Sequence, residues 1–527
     1  MDFHFTEEQN MLRDTIRRWV DTEVPRELAQ EIDEKDEFPH ELLQKLCNLG
    51  FMGINVPEEY GGQGGNVIDV MIMDEELCRR IPVMAWATGN VTLYGTSIIS
   101  KNGSEEQKKK YLPRLARGEL KFAYALTEPN AGSDAASIRT RAEFRDGSWV
   151  LNGSKMFITG AGIADVVVTN ARTAEDKFKG ITDFLVETKS EGFSARPIKD
   201  LGFRGSNTCE VHYDEIRVPP ENILGGPDCL NHGWRQMMRL LNEERLLLSA
   251  CSLGIGQGAF DYALNYAKER EQFGQPIGNF QVIQHKLVDM ATELEAARLL
   301  AYYAAWKETQ GMECVKETSM SKFYCSEVAK KIALEGVQIL GGYGYTMEYD
   351  AQRYLRDVLV LSIGGGTTQI QNGDRGGPHG QVPGNRGHLP RHRIGQRPST
   401  TPSNRPNWPS GMQGWTRTKS ISACPPRRFT VPSSTRNWSP AGSWKSWVSG
   451  IAGKTVRSSP EAPAEARASN WPQASSPAGR PTLSSMSTPT GWARGSTCRR
   501  GSIFSPQPEF RRSGKCPSGS ITLPSRR

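Results

Sequence analysis

The sequence predicts an α+β protein in which a helical segment, a β segment and a second helical segment follow one another, with a basic tail of different texture behind them. Three observations predict it. Apolar residues recur at helical spacing up to about Arg117 and again from about Gly233. Between about Lys121 and Arg217 the period falls to two, and beyond residue 371 the chain loses most of its apolar side chains. No strand pattern alternates with a helical one, so a doubly wound sheet is not expected.

In the first segment "EEQNMLRDTIRRWVDTEV", "HELLQKLCNLGF" and "DVMIMDEELCRRI" place apolar residues three and four apart, as an amphipathic helix requires. "NVPEEYGGQGG" interrupts them with turn residues. "KNGSEEQKKKYLPRLARGE" restarts the pattern, with Ser104 as N-cap and Gln107 three residues on, the signature of a capping box. The β segment contains "SWVLNGSKMFITG", "ADVVVTNAR", "TDFLVET" and "CEVHYDEIRV", short β-branched runs separated by Gly, Asn and Asp turns. Helical spacing then returns in "GWRQMMRLLNEERLLLSACSLGIGQGAFDYALNYAKERE" and holds through "KLVDMATELEAARLLAYYAAWKE" and "SKFYCSEVAKKIALEGVQILGG". "GIGQGAF", Gly254 to Phe260, superficially suggests a dinucleotide loop. It follows a helical stretch where such a loop needs a strand, so its small residues are expected to let helices approach closely.

Residues 372–527 hold 24 of the 65 Lys and Arg against four acidic residues, a net +20 on a body of −13, and 21 of the 32 prolines. Ile, Leu, Val and Phe number only 15 there, too few to offset the entropy of ordering, so a disordered Pro/Ser/Arg-rich tail is expected. Seven of the chain's 12 tryptophans are scattered through it, a mixture that a GC-rich gene gives when read out of frame. The ten cysteines form no CxxC pair, so neither a zinc site nor a disulfide framework is expected, and no metal. "MDFHFTEEQNM" begins acidic and amphipathic, and no apolar run approaches the length of a membrane span, which suits a cytoplasmic protein.

"YALTEPNAGSDAASIRT" (Tyr124 to Thr140), "KMFITGAG", "EREQFGQPIGNFQ" and "QILGGYGYTMEY", in that order, resemble the acyl-CoA dehydrogenases along essentially all of residues 1–371. The resemblance implies an N-terminal helical domain (1–120), a middle β-barrel domain (121–233) and a C-terminal four-helix-bundle domain (234–371) before the tail (372–527). It implies FAD as cofactor, with Tyr124, Leu126 and Thr127 along the isoalloxazine together with Phe157, Ile158 and Thr159. Phe157 stands where many relatives have Trp. Ser133 is implied to touch the CoA portion, and Asn242 and Arg245 the substrate side. The adenine end of the FAD of a neighbouring subunit is implied to meet Arg270, Gln272 and Phe273 and Gln338, Gly341 and Gly342, hence a homotetramer or homodimer.

Many relatives carry a glutamate before the Gly-Thr of the loop "IGGGTTQ", where it removes the substrate's α-proton. Here Gly365 occupies that place, and a hydrogen cannot accept a proton. A second solution, used by isovaleryl-CoA and long-chain dehydrogenases, projects the carboxylate from an earlier helix, and "LLNEERLLL" puts Glu244 there. Helical geometry favours Glu244 over its neighbour. Leu240, Leu241, Leu247 and Leu248 surround Glu244 at three and four residues, whereas Glu243 has Arg239 one turn back as a natural partner. A carboxylate on an apolar face titrates upward, toward the range useful for a general base. Gly365 keeps a backbone N–H for the thioester carbonyl, and Thr367 and Gln369 are implied to contact the cofactor.

The implied function is fatty-acid metabolism of the β-oxidation type: dehydrogenation of an acyl-CoA to a trans-2-enoyl-CoA, with electrons passed to an electron-transferring flavoprotein. Glycine at 365 with the "EER" arrangement also resembles the crotonobetainyl-CoA reductase branch, where the direction is reversed. A flavin oxidase or monooxygenase of the same superfamily is a rival, and nucleic-acid binding through the +20 tail a remote one. Relatives continue past "TTQIQ" into a last helix, which "NGDRGGPHG" replaces here. A change of reading frame at about Asn372 is therefore expected, with consequences for stability and for holding FAD.

Overall fold

The structure is a computed structural model that describes residues 4–375. Of the residues expected to belong to the disordered tail, 372–375 instead continue the last described helix, Thr368–Arg375, and the expectations for the rest lie outside the described residues.

Seven helices build the N-terminal part: α1 (Glu7–Glu23), α2 (Arg26–Lys35), α3 (His40–Asn48), α4 (Val67–Cys78), α5 (Val83–Val91), α6 (Ile98–Asn102) and α7 (Glu105–Ala116). The expected capping box starts α7. The Ser104 hydroxyl accepts from the Gln107 N–H at 3.3 Å, and Gln107 accepts from the Ser104 N–H at 3.2 Å. Thr6 with Gln9, and Asn66 with Asp69, close the same motif on α1 and α4. Between α5 and α6 the chain winds into a π-helical turn, Thr92–Ser97, a rare form that is frequent at functional sites.

The middle part is a curled seven-stranded sheet of β1 (Phe122–Ala125), β2 (Arg141–Arg145), β3 (Ser148–Thr159), β4 (Val166–Arg172), β5 (Ile181–Glu187), β6 (Phe193–Pro197) and β7 (Thr208–Val218). The order is β1-β4-β2-β3-β7-β6, with β5 on β4, and it is mixed: β1 runs parallel to β4 while β3 and β7 pair antiparallel. A register shift in the β3–β7 ladder between Lys155 and Ile158 marks an irregularity that turns Phe157 outward with φ +61°.

The last helices are α8 (Gly233–Glu269), α9 (Gln281–Thr309), α10 (Val315–Leu340), the short α11 (Ala351–Val358) and α12 (Thr368–Arg375). "GIGQGAF" lies inside α8. A methyl on Gly254 would stand 2.3 Å from the Glu75 carbonyl and one on Gly258 2.1 Å from that of Arg79, so these glycines let α8 and α4 touch backbone to backbone. One apolar cluster runs without a break from Leu12 and Leu46 through Leu253 and Ala301 to Leu340, and a second fills the sheet around Leu151, Phe184 and Val211. Among the described residues no helix is long and apolar enough to cross a membrane, and no cluster of His, Cys, Asp or Glu is placed to hold a metal ion.

Candidate active site

Leu240, Leu247 and Leu248, a turn either side of Glu244 on α8, are buried, and the Glu244 side chain is itself half-buried. Its Oε1 accepts a hydrogen bond of 3.3 Å from the Tyr94 hydroxyl. Tyr94 belongs to the π-helical turn and stacks on Tyr124 of β1, ring centres 5.8 Å apart and 13° from parallel. Burial pushes the Glu244 pKa above the usual carboxylate range, and the Tyr94 hydroxyl and the charges of Arg245 and Lys322 hold it back in part. Glu243 faces elsewhere. Its carboxylate pairs with Lys101 of α6 at 2.7 Å, which corrects the expectation of Arg239: the partner comes from another helix, out of reach of a reading confined to one.

The loop between α11 and α12 carries Gly365 at φ +62° and Gly366 at φ +90°, a conformation that side-chain-bearing residues rarely adopt. A methyl on Gly365 would lie 3.8 Å from Glu244 Oε1 and 2.3 Å from Leu248 Cδ1. The loop position and the helix position therefore aim at one spot, which Glu244 fills. Two buried side chains clamp the loop from behind. Lys322 of α10 donates to the Gly366 carbonyl at 2.7 Å, and Gln371 of α12 donates to the carbonyls of Gly365 and Gly366 at 3.1 and 3.3 Å. Thr367 starts α12, its hydroxyl accepting from the Ile370 N–H at 3.3 Å, and Gln369 is exposed.

Arg245 is buried, donating to Ser319 of α10 at 3.0 Å. Asn242 accepts from Thr318 at 3.3 Å, so both side chains named for the substrate side reach α10. Ser133 is exposed beyond a narrow bridge between Glu128 and Ala131. Leu126 and Thr127 are half-buried and held from beneath: Lys155 of β3, wholly buried, donates to the Leu126 carbonyl at 3.0 Å and to Glu128 at 2.9 Å. Burial lowers the Lys155 pKa to about 8, against the pull of Glu128. The Met156 N–H donates to the Thr127 carbonyl at 2.8 Å, joining the two strips Tyr124–Thr127 and Phe157–Thr159. Ile158 is buried and Thr159 half-buried, but Phe157 presents 63% of its surface.

At the other end of the bundle Arg270, Gln272, Gly341 and Gly342 line an open cavity of about 450 Å³ with an apolar floor of Ile277, Ile339 and Leu340. The Arg270 guanidinium lies 5.5 Å from the Tyr343 ring centre. Phe273, at the tip of a small hairpin, is 94% exposed, and Gln338 is exposed on α10 just before the cavity wall. Tyr94, Lys322 and Gln371 are the neighbours that the sequence reading missed. A lysine at helical spacing among Thr318, Ser319, Ser321, Cys325 and Ser326, all buried, was the available signal for Lys322.

Comparison with known proteins gives the same outline. The N-terminal, middle and C-terminal domain models of the acyl-CoA dehydrogenases match residues 6–119, 123–216 and 231–374. An acyl-CoA dehydrogenase of Bacillus subtilis (strain 168) is 45% identical over 371 residues, 70% of this chain and 97% of the relative. The caffeyl-CoA reductase–Etf complex subunit CarC of Acetobacterium woodii is 40% identical over 370 residues, again 70% of this chain and 97% of the relative. The solved butyryl-CoA dehydrogenase of Megasphaera elsdenii is 35% identical and superposes with a TM-score of 0.69, covering 71% of this chain and 99% of that one. With all three domain models matched and such identity across nearly the whole length of its relatives, the chain belongs to the acyl-CoA dehydrogenase family, oxidoreductases acting on CH–CH groups whose members are FAD-dependent.

Proposed function

We propose that this protein interconverts an acyl-CoA and its trans-2-enoyl-CoA, with Glu244 as the general base. The observation that carries the reading is the 3.8 Å between Glu244 Oε1 and the place of a methyl on Gly365: the carboxylate stands where a glutamate on the loop would stand.

The residues present suit FAD. Exposed Phe157 with half-buried Leu126 offers apolar cover for a ring, buried Ile158 backs that strip from the sheet core, and Thr127 and Thr159 offer hydroxyls for its polar edge. Arg270 and Gln272 with the open backbone of Gly341 and Gly342, where a Cβ would meet nothing within 4 Å, offer donors and room for a diphosphate and adenosine. Phe273 and Gln338 flank that cavity. Bound FAD would supply the acceptor for the β-hydrogen and its electron pair. Glu244, raised by burial, takes the α-proton, and the electrons of that C–H bond move toward the thioester oxygen. The Gly365 N–H meets the charge developing there, and Thr367 and Gln369 extend the same wall. Tyr124 closes the near side through its stack on Tyr94, and Arg245 and Asn242 fix α8 to α10 so that Glu244 keeps its aim. Ser133, on the exposed turn, is the contact proposed for CoA.

Electrons would pass to or from an electron-transferring flavoprotein. That the Acetobacterium relative is named as a subunit of a complex with Etf supports this partner, and its name as a reductase favours enoyl reduction as a second direction. A homotetramer or homodimer is supported by the exposed Leu299, Tyr303 and Trp306 along α9 and by the open cavity beside Phe273. The test is anaerobic mixing of the FAD-loaded protein with a panel of acyl-CoA thioesters while the oxidised flavin band is followed. One of them should bleach it, and Glu244→Gln should slow bleaching by about 10²–10⁴-fold. Wild-type bleaching rates in Glu244→Gln would overturn the reading.

A further inference from the structure

A lysine that is 1% exposed inside a helical bundle demands an account, because an ammonium leaves water at a cost of several kcal/mol unless something compensates it. One N–H of Lys322 is answered by the Gly366 carbonyl at 2.7 Å. Among the described residues the charged groups that act on it most strongly come from two helices. From α8 they are Glu244 and Arg245, and from α10 itself Glu327 and Lys330. The loop from Gly364 to Thr367 carries no charge. Glu327 is already engaged, with Lys330 at 2.8 Å and the Thr368 hydroxyl at 2.9 Å, and Arg245 faces Ser319. Among the described residues Glu244 is thus the carboxylate left to balance Lys322, and besides Arg245 its other titratable neighbours there are the phenols Tyr94 and Tyr124.

We propose that Lys322 is a positioning residue for the general base: from α10 it pins, through the Gly366 carbonyl, the glycine loop whose Gly365 lies against Glu244, and so sets a positive charge on the side of the site that Glu244 faces. The proposal rests on the reading of Glu244 as the base. It accounts for two facts at once, a cation buried where a neutral donor would satisfy the carbonyl, and its place beside a carboxylate whose pKa burial pushes upward. Burial draws the Lys322 pKa down to about 8, with Glu244 opposing. Below that pH the charge is in place.

The experiment compares Lys322→Gln, Lys322→Met and Lys322→Arg in the full-length FAD-loaded protein. Lys322→Gln keeps a donor for the carbonyl and loses the charge. The acid limb of flavin reduction, set by Glu244, should therefore rise by about one pH unit in Lys322→Gln and Lys322→Met and stay in place in Lys322→Arg. An infrared titration of the Glu244 carboxyl band, with Glu244→Gln as the blank, reads the same shift without turnover and also in protein that has lost FAD. A Glu244 band that titrates at one pH in wild type and Lys322→Gln overturns the proposal. Failure of the underlying reading looks different: Glu244→Gln itself would then reduce flavin at the wild-type rate.

Discussion

Moving the carboxylate from the helix to the loop tests the shared spot directly. Glu244→Gln should lower flavin reduction by about 10²–10⁴-fold. Adding Gly365→Glu returns a carboxylate, but at a position with φ +62°, where a side-chain-bearing residue costs about 1–2 kcal/mol. Its Cβ would also press to 2.3 Å from Leu248 Cδ1, and overpacking of that kind costs about 1–3 kcal/mol. The sum is a large part of the roughly 5–15 kcal/mol that holds a domain together. Leu248→Ala removes the clash. The volume it vacates is taken up in part by the new glutamate, so its cost falls below the roughly 2–5 kcal/mol of an unfilled Leu→Ala. The triple variant should melt cooperatively, hold FAD and regain about tenfold or more in reduction rate over Glu244→Gln/Leu248→Ala, some 1.4 kcal/mol of barrier. Thermal melts and anaerobic stopped-flow absorbance measure both. A folded, FAD-loaded triple variant no faster than that double variant would show that the two positions do not serve one proton.

Three other substitutions probe the surroundings. Tyr94→Phe keeps the stack on Tyr124 and deletes the donor to Glu244, so the Glu244 pKa should climb further and the acid limb of flavin reduction move up; a downward move in the pH profile would contradict the assigned hydrogen bond. Gln371→Ala takes the Gln371 donor from the Gly365 carbonyl and leaves that of Gly366 to Lys322, and should cost about 1–3 kcal/mol in urea unfolding together with slower reduction, whereas unchanged values would remove Gln371 from the clamp. Lys155 has a folded pKa near 8 against about 10.5 unfolded, so the unfolded chain binds more protons between those values and its contribution must become more favourable as pH rises from about 8 to 10.5, by up to about 3 kcal/mol. Urea unfolding across that window should show wild type gaining on a Glu128→Gln/Lys155→Met variant, and parallel curves would refute the shift.

The sequence made legible what depends on near neighbours in the chain. Ser104 and Gln107 cap α7 through atoms three residues apart, β3 and β7 declare themselves by alternation, and β4 and β5 as short β-branched runs buried on both faces. β2 and β6 do not, because Arg141–Arg145 and Phe193–Pro197 are largely exposed and carry little apolar pattern. Within the site, the choice of Glu244 over Glu243 rested on the leucines one turn away, which are local. The partner of Glu243 is Lys101, more than a hundred residues earlier, and helical spacing carries no record of it. Tyr94 and Lys322 were hidden for the same reason: each acts on Glu244 from a different helix, and only the packing of α8 against α10 and the π-helical turn brings them there.

The glycine contacts between α8 and α4 bear on how the molecule comes apart. With Gly254 against the Glu75 carbonyl, Gly258 against that of Arg79, and Arg298 reaching across to Glu75 at 2.9 Å, the first and last thirds of the described chain share one interior. Their helices cannot part without opening that interior, while the sheet encloses a separate one. Three segments along the chain thus enclose two apolar interiors, one assembled from both ends and from one face of the sheet, the other within the sheet inserted between them. A bulky residue at Gly254 or Gly258 would therefore loosen both helical ends together, far from where the substitution sits in the sequence.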